Sequence, residues 1–268
     1  MYLNKYLINL KCAMTKNKIY NKFEKNGYLI LPKFINSKNF NKLCTELNKD
    51  IEKSLRLVNT SMLGGSLVGN LNLYPGHYGK KIFVLLKKKK FLNILENITK
   101  KKINNFSISV GGNLSLPKRY DQNFHTDGNF DQKMIIASLA TSDISFNNGP
   151  TEIVLDNHKN EISYLKFLIS KKRKKKILLK KGDLIIRKHS LWHRGTRNNS
   201  EHFRFLIAFV IFEKKRNIKS NLNSSKKIKI FSNFFGNSIL ERFKELIYVY
   251  LNFIYVFYKI CISIKKKI

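Results

Sequence analysis

The sequence predicts a mainly β fold with flanking helices, a double-stranded β-helix (jelly roll, cupin-like), followed by an apolar C-terminal helix. Two observations support this prediction. Between residues 104 and 212, short stretches rich in β-branched and aromatic residues alternate with turn-forming residues, as in two-sheet antiparallel folds. The segment before them has helical periodicity, so its helices are expected to pack on one sheet.

The composition fits one folded domain with appendages. The chain has 268 residues, of which 43% are hydrophobic and 12% aromatic, so a sizeable core can form. Its three cysteines, Cys12, Cys44 and Cys261, are far apart and form no CxxC pair. This argues against a disulfide framework or a thiolate metal site and favours a reducing, cytoplasmic setting. We expect no signal peptide, because the N-terminal residues lack a long apolar run and a cleavage site.

The net charge of +35 comes from 52 Lys and Arg against 17 Asp and Glu. One interpretation is a polyanionic partner, either nucleic acid or an anionic membrane. The other is a bias toward A/T-rich codons, because Lys, Asn, Ile, Phe and Tyr are all abundant. Lys greatly outnumbers Arg, although Arg reads bases and phosphates better. We therefore expect no specific nucleic-acid partner and only weak attraction to anionic surfaces.

The N-terminal part is predicted to contain an extension, residues 1–21, and then the main domain, residues 22–212. Residues 22–34 predict the end of a short helix followed by a strand. Ser37 is the expected N-cap of a helix over 38–55, whose apolar residues recur on one face. Residues 61–79 are Gly-rich and predict a long loop that could cover a site, with His77 as a candidate substrate contact.

Seven strands are predicted in the β-rich part: 105–110, 113–116, 133–141, 151–155, 183–187, 190–193 and 203–212. The turns between them are predicted at Gly111-Gly112, Asn147-Asn148-Gly149, Asp156-Asn157, Gly182-Asp183 and Asn198-Asn199. The Lys-rich residues 159–176 predict one helix between strands.

Two segments are predicted after the main domain: a polar Lys-rich linker, residues 213–240, and an apolar or amphipathic helix, residues 241–268. As a helix, the apolar run 246–264 would be about 28 Å long, close to the thickness of a bilayer core. Glu245, Asn252 and Lys259 recur every seventh position, however, and so fall near one stripe. We therefore expect a helix that lies in an anionic membrane surface, making the protein cytoplasmic and peripheral. A spanning helix and a helix packed on the domain are the alternatives.

A candidate metal motif lies at residues 123–128, Asn-Phe-His-Thr-Asp-Gly. In an extended strand the side chains of His125 and Asp127 project to the same face, so both can bind one metal ion. His193 is the candidate third ligand. Two imidazoles and one carboxylate leave three positions open on Fe(II), enough for a bidentate co-substrate and O2. By itself the HxD pattern is weak, because an ordinary polar pair looks the same.

Arg204 is the candidate residue for binding an anion in the same site. A hairpin centred between Asn198 and Asn199 would place positions 193 and 204 opposite each other, with both side chains on one face. Residues 203–212 are apolar on both faces, so Arg204 is predicted to be buried and to need an anion. A bound dicarboxylate would supply that anion. An ion pair with Asp183 or Glu152 is the alternative.

Together these motifs resemble the phytanoyl-CoA dioxygenase family of Fe(II)- and 2-oxoglutarate-dependent oxygenases. The resemblance runs, in order, through residues 23–28, His125-Thr126-Asp127, Asn148-Gly149-Pro150, Gly182-Asp183, His193-Arg194-Gly195 and Arg204. It implies iron ligands at His125, Asp127 and His193, and 2-oxoglutarate binding at Arg204. Lys118, Gln122 and Ser138 are further candidates for the co-substrate pocket.

The resemblance implies a dioxygenase that hydroxylates an unactivated C–H bond of a small organic or lipid-like substrate, with release of succinate and CO2. The alternative is a catalytically silent family member that binds a ligand or a polyanion. The chain departs from the family at Leu155-Asp156-Asn157, where a Pro-Gly turn is common, but that turn carries no ligand. The substrate loops cannot be matched, so the substrate is not identified by the resemblance.

Overall fold

The structure, a computed structural model, describes residues 17–128, 132–213, 221–222 and 227–265. In this part of the chain the helices are α1 (17–26), α2 (Lys38–Leu57), α3 (His77–Lys88), α4 (Phe91–Thr99), α5 (Tyr164–Ile169), α6 (Ile239–Tyr250) and α7 (Asn252–Lys265). The strands are β1 (Tyr28–Leu31), β2 (Asn70–Tyr74), β3 (Phe106–Ser115), β4 (Met134–Ala140), β5 (Thr151–Val154), β6 (Lys174–Ile177), β7 (Leu184–Lys188), β8 (His193–Gly195), β9 (Arg204–Glu213) and β10 (Lys229–Phe231).

The strands form two antiparallel sheets that line a common cavity. The larger sheet has seven strands in the order β1-β7-β4-β9-β3-β2-β10, and the smaller sheet has the order β6-β5-β8. Neighbouring strands in space are mostly distant in sequence, as expected for a jelly roll. The predicted mainly β, double-stranded β-helix fold with flanking helices is confirmed.

The central strand β9 shows why the larger sheet is apolar on both faces. Phe205, Ile207 and Phe209 belong to the core that the helices α2, α3 and α4 cover. The alternate residues Leu206 and Ala208 line the cavity on the opposite face. Because successive side chains of a strand point to opposite faces, one strand builds both the core and the cavity wall.

Helix α2 matches its prediction. The Ser37 side chain accepts a hydrogen bond from the backbone N–H of Phe40 at 3.2 Å, so Ser37 is the N-cap. The predicted apolar face is buried against the larger sheet. The prediction of a long loop over 61–79 is wrong: this segment contains β2 and the start of α3.

Two further local predictions are wrong. Gly111-Gly112 is not a turn but part of the continuous strand β3, which pairs along its whole length with β9. A Cβ atom at Gly112 would lie 2.3 Å from the carbonyl oxygen of Leu206, so glycine permits a close approach of the two strands. The Lys-rich residues 159–176 are helical only in α5, and Lys174–Ile177 forms β6 at the edge of the smaller sheet.

The C-terminal part is integrated into the domain more closely than predicted. The described end of the predicted linker forms β10, which pairs with β2. The predicted single helix is two helices, α6 and α7, bent by 113° around Leu251. Within the described residues no single helix is long and apolar enough to cross a membrane, although the bent pair would qualify by length and composition.

Helix α6 packs on the domain through buried groups. The Glu245 carboxylate is fully buried and accepts hydrogen bonds from the backbone N–H groups of Leu67 and Val68 at 2.9 and 3.1 Å. Tyr248 is also buried, against Val68 and Phe235. This face of α6 therefore matches the alternative of a helix packed on the domain, because burying a carboxylate requires the partners that the domain provides.

Candidate metal centre

The side chains of His125, Asp127 and His193 converge in the cavity between the two sheets. One ligand atom from each residue lies within 4.8 Å of the other two. The backbones of His125 and His193 exchange two hydrogen bonds of 2.9 Å, and the backbone N–H of Asp127 donates to the carbonyl of His189 at 3.0 Å. The segment before β4 is thus held extended against β8, which places residues 125 and 127 on the same side.

Both imidazoles are oriented for metal binding through Nε2. The Nδ1 of His125 lies 2.8 Å from the carbonyl oxygen of Asn123, and the Nδ1 of His193 lies 3.0 Å from that of Leu191. A carbonyl oxygen can only accept, so each imidazole carries its proton on Nδ1 and keeps a lone pair on Nε2. Two such nitrogens and a carboxylate are the donor set that suits Fe(II) with open positions.

The electrostatics of the site favour neutral imidazoles and an ionised carboxylate. Burial, and secondarily the Arg187 guanidinium, lowers the pKa of His193 to about 3. Burial also lowers the pKa of His125. Although burial alone would raise the pKa of Asp127, the charge and the hydrogen bond of the Arg187 guanidinium oppose this effect, and that pKa lies below its usual range. These are the protonation states in which the three side chains can bind a metal.

Arg187 is a cavity residue that the sequence reasoning missed. Its Nη2 lies 2.6 Å from Oδ2 of Asp127. On β7 the side chains of Leu184 and Ile186 enter the core, while those of Ile185 and Arg187 line the cavity. The sequence did contain a signal: Arg187 follows three apolar residues on a predicted strand, so its charge is expected to be buried and to need a partner.

Arg204 lies in the same cavity as His193, but the predicted hairpin is wrong. Strand β8 pairs with β5 in the smaller sheet, whereas β9 pairs with β3 and β4 in the larger one. Residues 193 and 204 therefore face each other from two sheets instead of lying side by side in one. The cavity that they share has a volume of about 330 Å³.

The Arg204 side chain is buried, and an anion would complete its contacts. Its Nη2 donates to the carbonyl of Gly149 at 2.8 Å, and its Nε is buried with no hydrogen-bond partner among the described residues. Burial lowers the pKa of Arg204 to about 10, which leaves the side chain charged at neutral pH. Of the two acids considered as partners, Glu152 pairs with Arg194 and Asp183 accepts from backbone N–H groups. A carboxylate ligand fits this position.

The other candidate residues fall into two groups. Gln122 and Ser138 line the cavity, and the Gln122 side-chain oxygen accepts a hydrogen bond from the backbone N–H of Gly195 at 2.8 Å. Lys118 and His77 are not among the cavity-lining residues. Lys118 pairs with Glu201 at the surface, and His77 begins α3 beside a different pocket.

Comparisons with known proteins agree with this geometry. Residues 79–206 match the family model described as Phytanoyl-CoA dioxygenase (PhyH). Comparison with curated proteins gave no match.

Several solved structures share the fold. The non-heme alpha ketoglutarate dependent epimerase SnoN from nogalamycin biosynthesis has a TM-score of 0.59 and 11% identity, over 75% of this chain and 82% of that one. The carbocyclase SnoK from the same biosynthesis has a TM-score of 0.55 and 14% identity, over 73% and 83%. AviO1 from Streptomyces viridochromogenes has a TM-score of 0.55 and 12% identity, over 76% and 97%. SnoN was also solved in complex with Fe3+, alpha ketoglutarate and nogalamycin RO.

The fold, the convergent triad and the matched segment are similar to those of non-haem iron, 2-oxoglutarate-dependent enzymes. The matched segment, residues 79–206, is similar to the phytanoyl-CoA dioxygenase family over just under half of the chain. Enzymes of this family use Fe(II), 2-oxoglutarate and O2. The donor set of His125, Asp127 and His193, with its two Nε2 lone pairs, fits the iron.

Proposed function

We propose that this protein is an Fe(II)- and 2-oxoglutarate-dependent dioxygenase. It hydroxylates an unactivated C–H bond of a small organic or lipid-like substrate and releases succinate and CO2. The observation that supports this most is the placement of the triad and a buried, incompletely paired Arg204 in one cavity. A metal site alone would not need a buried guanidinium. A metal ion and a guanidinium in one cavity can bind the two ends of a chelating dicarboxylate.

Each side chain has a distinct task in this proposal. His125, Asp127 and His193 hold the iron, and Arg204 grips the distal carboxylate of 2-oxoglutarate. When bound, the iron and the co-substrate supply the oxidising chemistry, while the protein orients the reactants and excludes water. Apolar cavity residues such as Ile136, Leu206 and Val210 keep this environment dry.

The proposal also specifies the reaction type, hydroxylation, which the cofactors alone do not determine. Two proteins of the same fold are named as an epimerase and a carbocyclase, so this scaffold serves more than hydroxylation. Product mass separates these outcomes: hydroxylation adds one oxygen atom, epimerisation leaves the mass unchanged and ring closure removes two hydrogens.

A catalytically silent protein that binds a ligand or a polyanion is the alternative. The complete donor set argues against it, because a silent protein would not need two oriented Nε2 atoms beside an ionised carboxylate. The deciding experiment is to add Fe(II) and 2-oxoglutarate without oxygen and to record the visible spectrum. A metal-to-ligand charge-transfer band that requires both additions supports the proposal. Tight Fe(II) binding without this band contradicts it.

We also propose that the protein is cytoplasmic and peripheral at an anionic membrane. The faces of α6 and α7 directed away from the domain expose large apolar side chains: Ile239, Leu240, Phe243, Phe253, Phe257 and Tyr258. Lys244 and Lys259 lie on the same two helices, and the net charge is +35. Exposed aromatics beside lysines suit the interface of an anionic bilayer, where the rings insert and the amines meet headgroups.

A further inference from the structure

Arg187 has one side-chain nitrogen engaged and another without a partner. Its Nη2 meets Asp127 at 2.6 Å, whereas its Nη1 is buried and has no hydrogen-bond partner among the described residues. A guanidinium carries five donors in a fixed fork, so an orphaned, buried N–H beside a metal site is unfavourable unless a ligand accepts from it. The ion pair with Asp127 therefore fixes the position of the guanidinium and leaves its Nη1 free to donate a hydrogen bond to a ligand.

The charges in the cavity require a further anion. Among the residues that line it, Asp127 carries the negative charge and Arg187 and Arg204 carry two positive charges. Fe(II) and the dianion of 2-oxoglutarate cancel each other, so the loaded site keeps one net positive charge. In a cavity of low polarity such an excess is costly, and a bound anionic group offsets it.

The register of the larger sheet separates the two cations. Arg187 on β7 lies opposite Ile136 on β4, and Ile136 lies opposite Val210 on β9. From Val210 to Arg204 the strand runs about 20 Å, at about 3.4 Å per residue. The backbones of Arg187 and Arg204 thus lie at opposite ends of the cavity. A 2-oxoglutarate gripped by Arg204 extends toward the metal from the end away from Arg187.

We propose that Arg187 binds the primary substrate, which carries an anionic group, either a carboxylate or a phosphate. The free Nη1 donates to an oxygen of that group, while Nη2 keeps its ion pair with Asp127. Arg187 is thereby a positioning and specificity-determining residue that holds the substrate on the side of the metal away from Arg204. This inference rests on the proposed function and adds the chemical class of the substrate.

The test uses the full chain, saturated with Fe(II) and 2-oxoglutarate without oxygen, and acetate or methyl phosphate as the probe. In the wild-type protein the probe should shift the charge-transfer band saturably. Arg187→Met should need at least tenfold more probe, because a charge-assisted hydrogen bond is lost. Lys188→Met is the matched control. It removes the same charge from the neighbouring residue of β7, which points away from the cavity and pairs with Glu24, so the wild-type response is expected.

Three outcomes would overturn the inference. The probe leaves the wild-type band unchanged, or it shifts the bands of wild type and Arg187→Met equally. The third outcome is that Arg187→Met weakens the binding of 2-oxoglutarate itself, which would mean that the guanidinium binds the co-substrate. If Arg187→Met does not fold, Arg187→Lys decides: it keeps the charge, loses the fork, and should bind the probe several-fold more weakly. Absence of the band in the wild-type protein would instead contradict the proposed function.

Discussion

The hydroxyl oxygen of Tyr248 accepts a hydrogen bond from the backbone N–H of Asn123, two residues before His125. Asn123 contacts both the candidate metal ligand His125 and the two C-terminal helices. Its carbonyl oxygen orients the His125 imidazole, and its side chain donates to Asn252 of α7 at 2.7 Å. The C-terminal helices therefore support the metal-binding segment, although they are far from it in sequence.

We expect Tyr248→Phe to weaken the metal site. The Asn123 N–H would lose its partner in a partly buried position, which costs about 1 kcal/mol, and His125 would be held less rigidly. The melting temperature and the Fe(II) affinity should both fall. Tyr258→Phe, at a partly exposed position of α7, is the control and should change neither. Unchanged Fe(II) affinity in Tyr248→Phe would show that α6 only packs on the domain.

Asp127→Ala should abolish most Fe(II) binding. It removes the only carboxylate of the triad and leaves the Arg187 guanidinium without its ion pair, so the net positive charge of the site increases. Anaerobic titration with Fe(II) in the presence of 2-oxoglutarate, followed through the charge-transfer band, measures the loss of binding. Succinate formation after O2 is admitted measures the loss of turnover. Glu201→Ala removes an exposed carboxylate at the surface and should behave as wild type. Turnover at the wild-type rate in Asp127→Ala would refute the metal assignment.

Arg204→Leu should raise the apparent KM for 2-oxoglutarate while Fe(II) binding persists. A charge-assisted hydrogen bond contributes about 1.5–3 kcal/mol, so the KM should rise by about tenfold or more. Arg197→Leu, on an exposed residue between β8 and β9, is the control. If Arg197→Leu raises the KM and Arg204→Leu does not, the wrong arginine has been assigned.

Membrane association is tested by replacing exposed aromatics of α7. The double variant Phe253→Ser and Phe257→Ser should release the protein from vesicles that contain phosphatidylserine, because the apolar anchor is lost. Leu57→Ser with Met62→Ser removes two exposed apolar side chains elsewhere and should remain bound. Co-sedimentation with these vesicles measures the binding of each double variant, made in the full chain. Equal binding of the two double variants would mean that charge alone attracts the protein. Truncation of the whole segment is a poor test, because it would also remove Tyr248 and Glu245.

Much of the secondary structure of this protein could be predicted from its sequence, because it depends on residues that are close together along the chain. The Ser37 cap, the apolar face of α2 and most of the strands follow from rules that depend on neighbours along the chain. The pairing of His125 with Asp127 likewise needs only the two-residue period of a strand. The continuity of β3 through Gly111-Gly112 could not be read locally, since glycine serves a turn and a close strand contact equally well.

Long-range packing decided the rest. His193 and Arg204 share a cavity because two sheets face each other, whereas the local hairpin argument placed them in a single sheet. The contact of Arg187 with Asp127 and that of Tyr248 with Asn123 join residues 60 and 125 positions apart. Nothing in the periodicity of either segment specifies its partner. Such contacts depend on how the two sheets and the C-terminal helices pack, which is set by burial of the whole core and not by any local pattern.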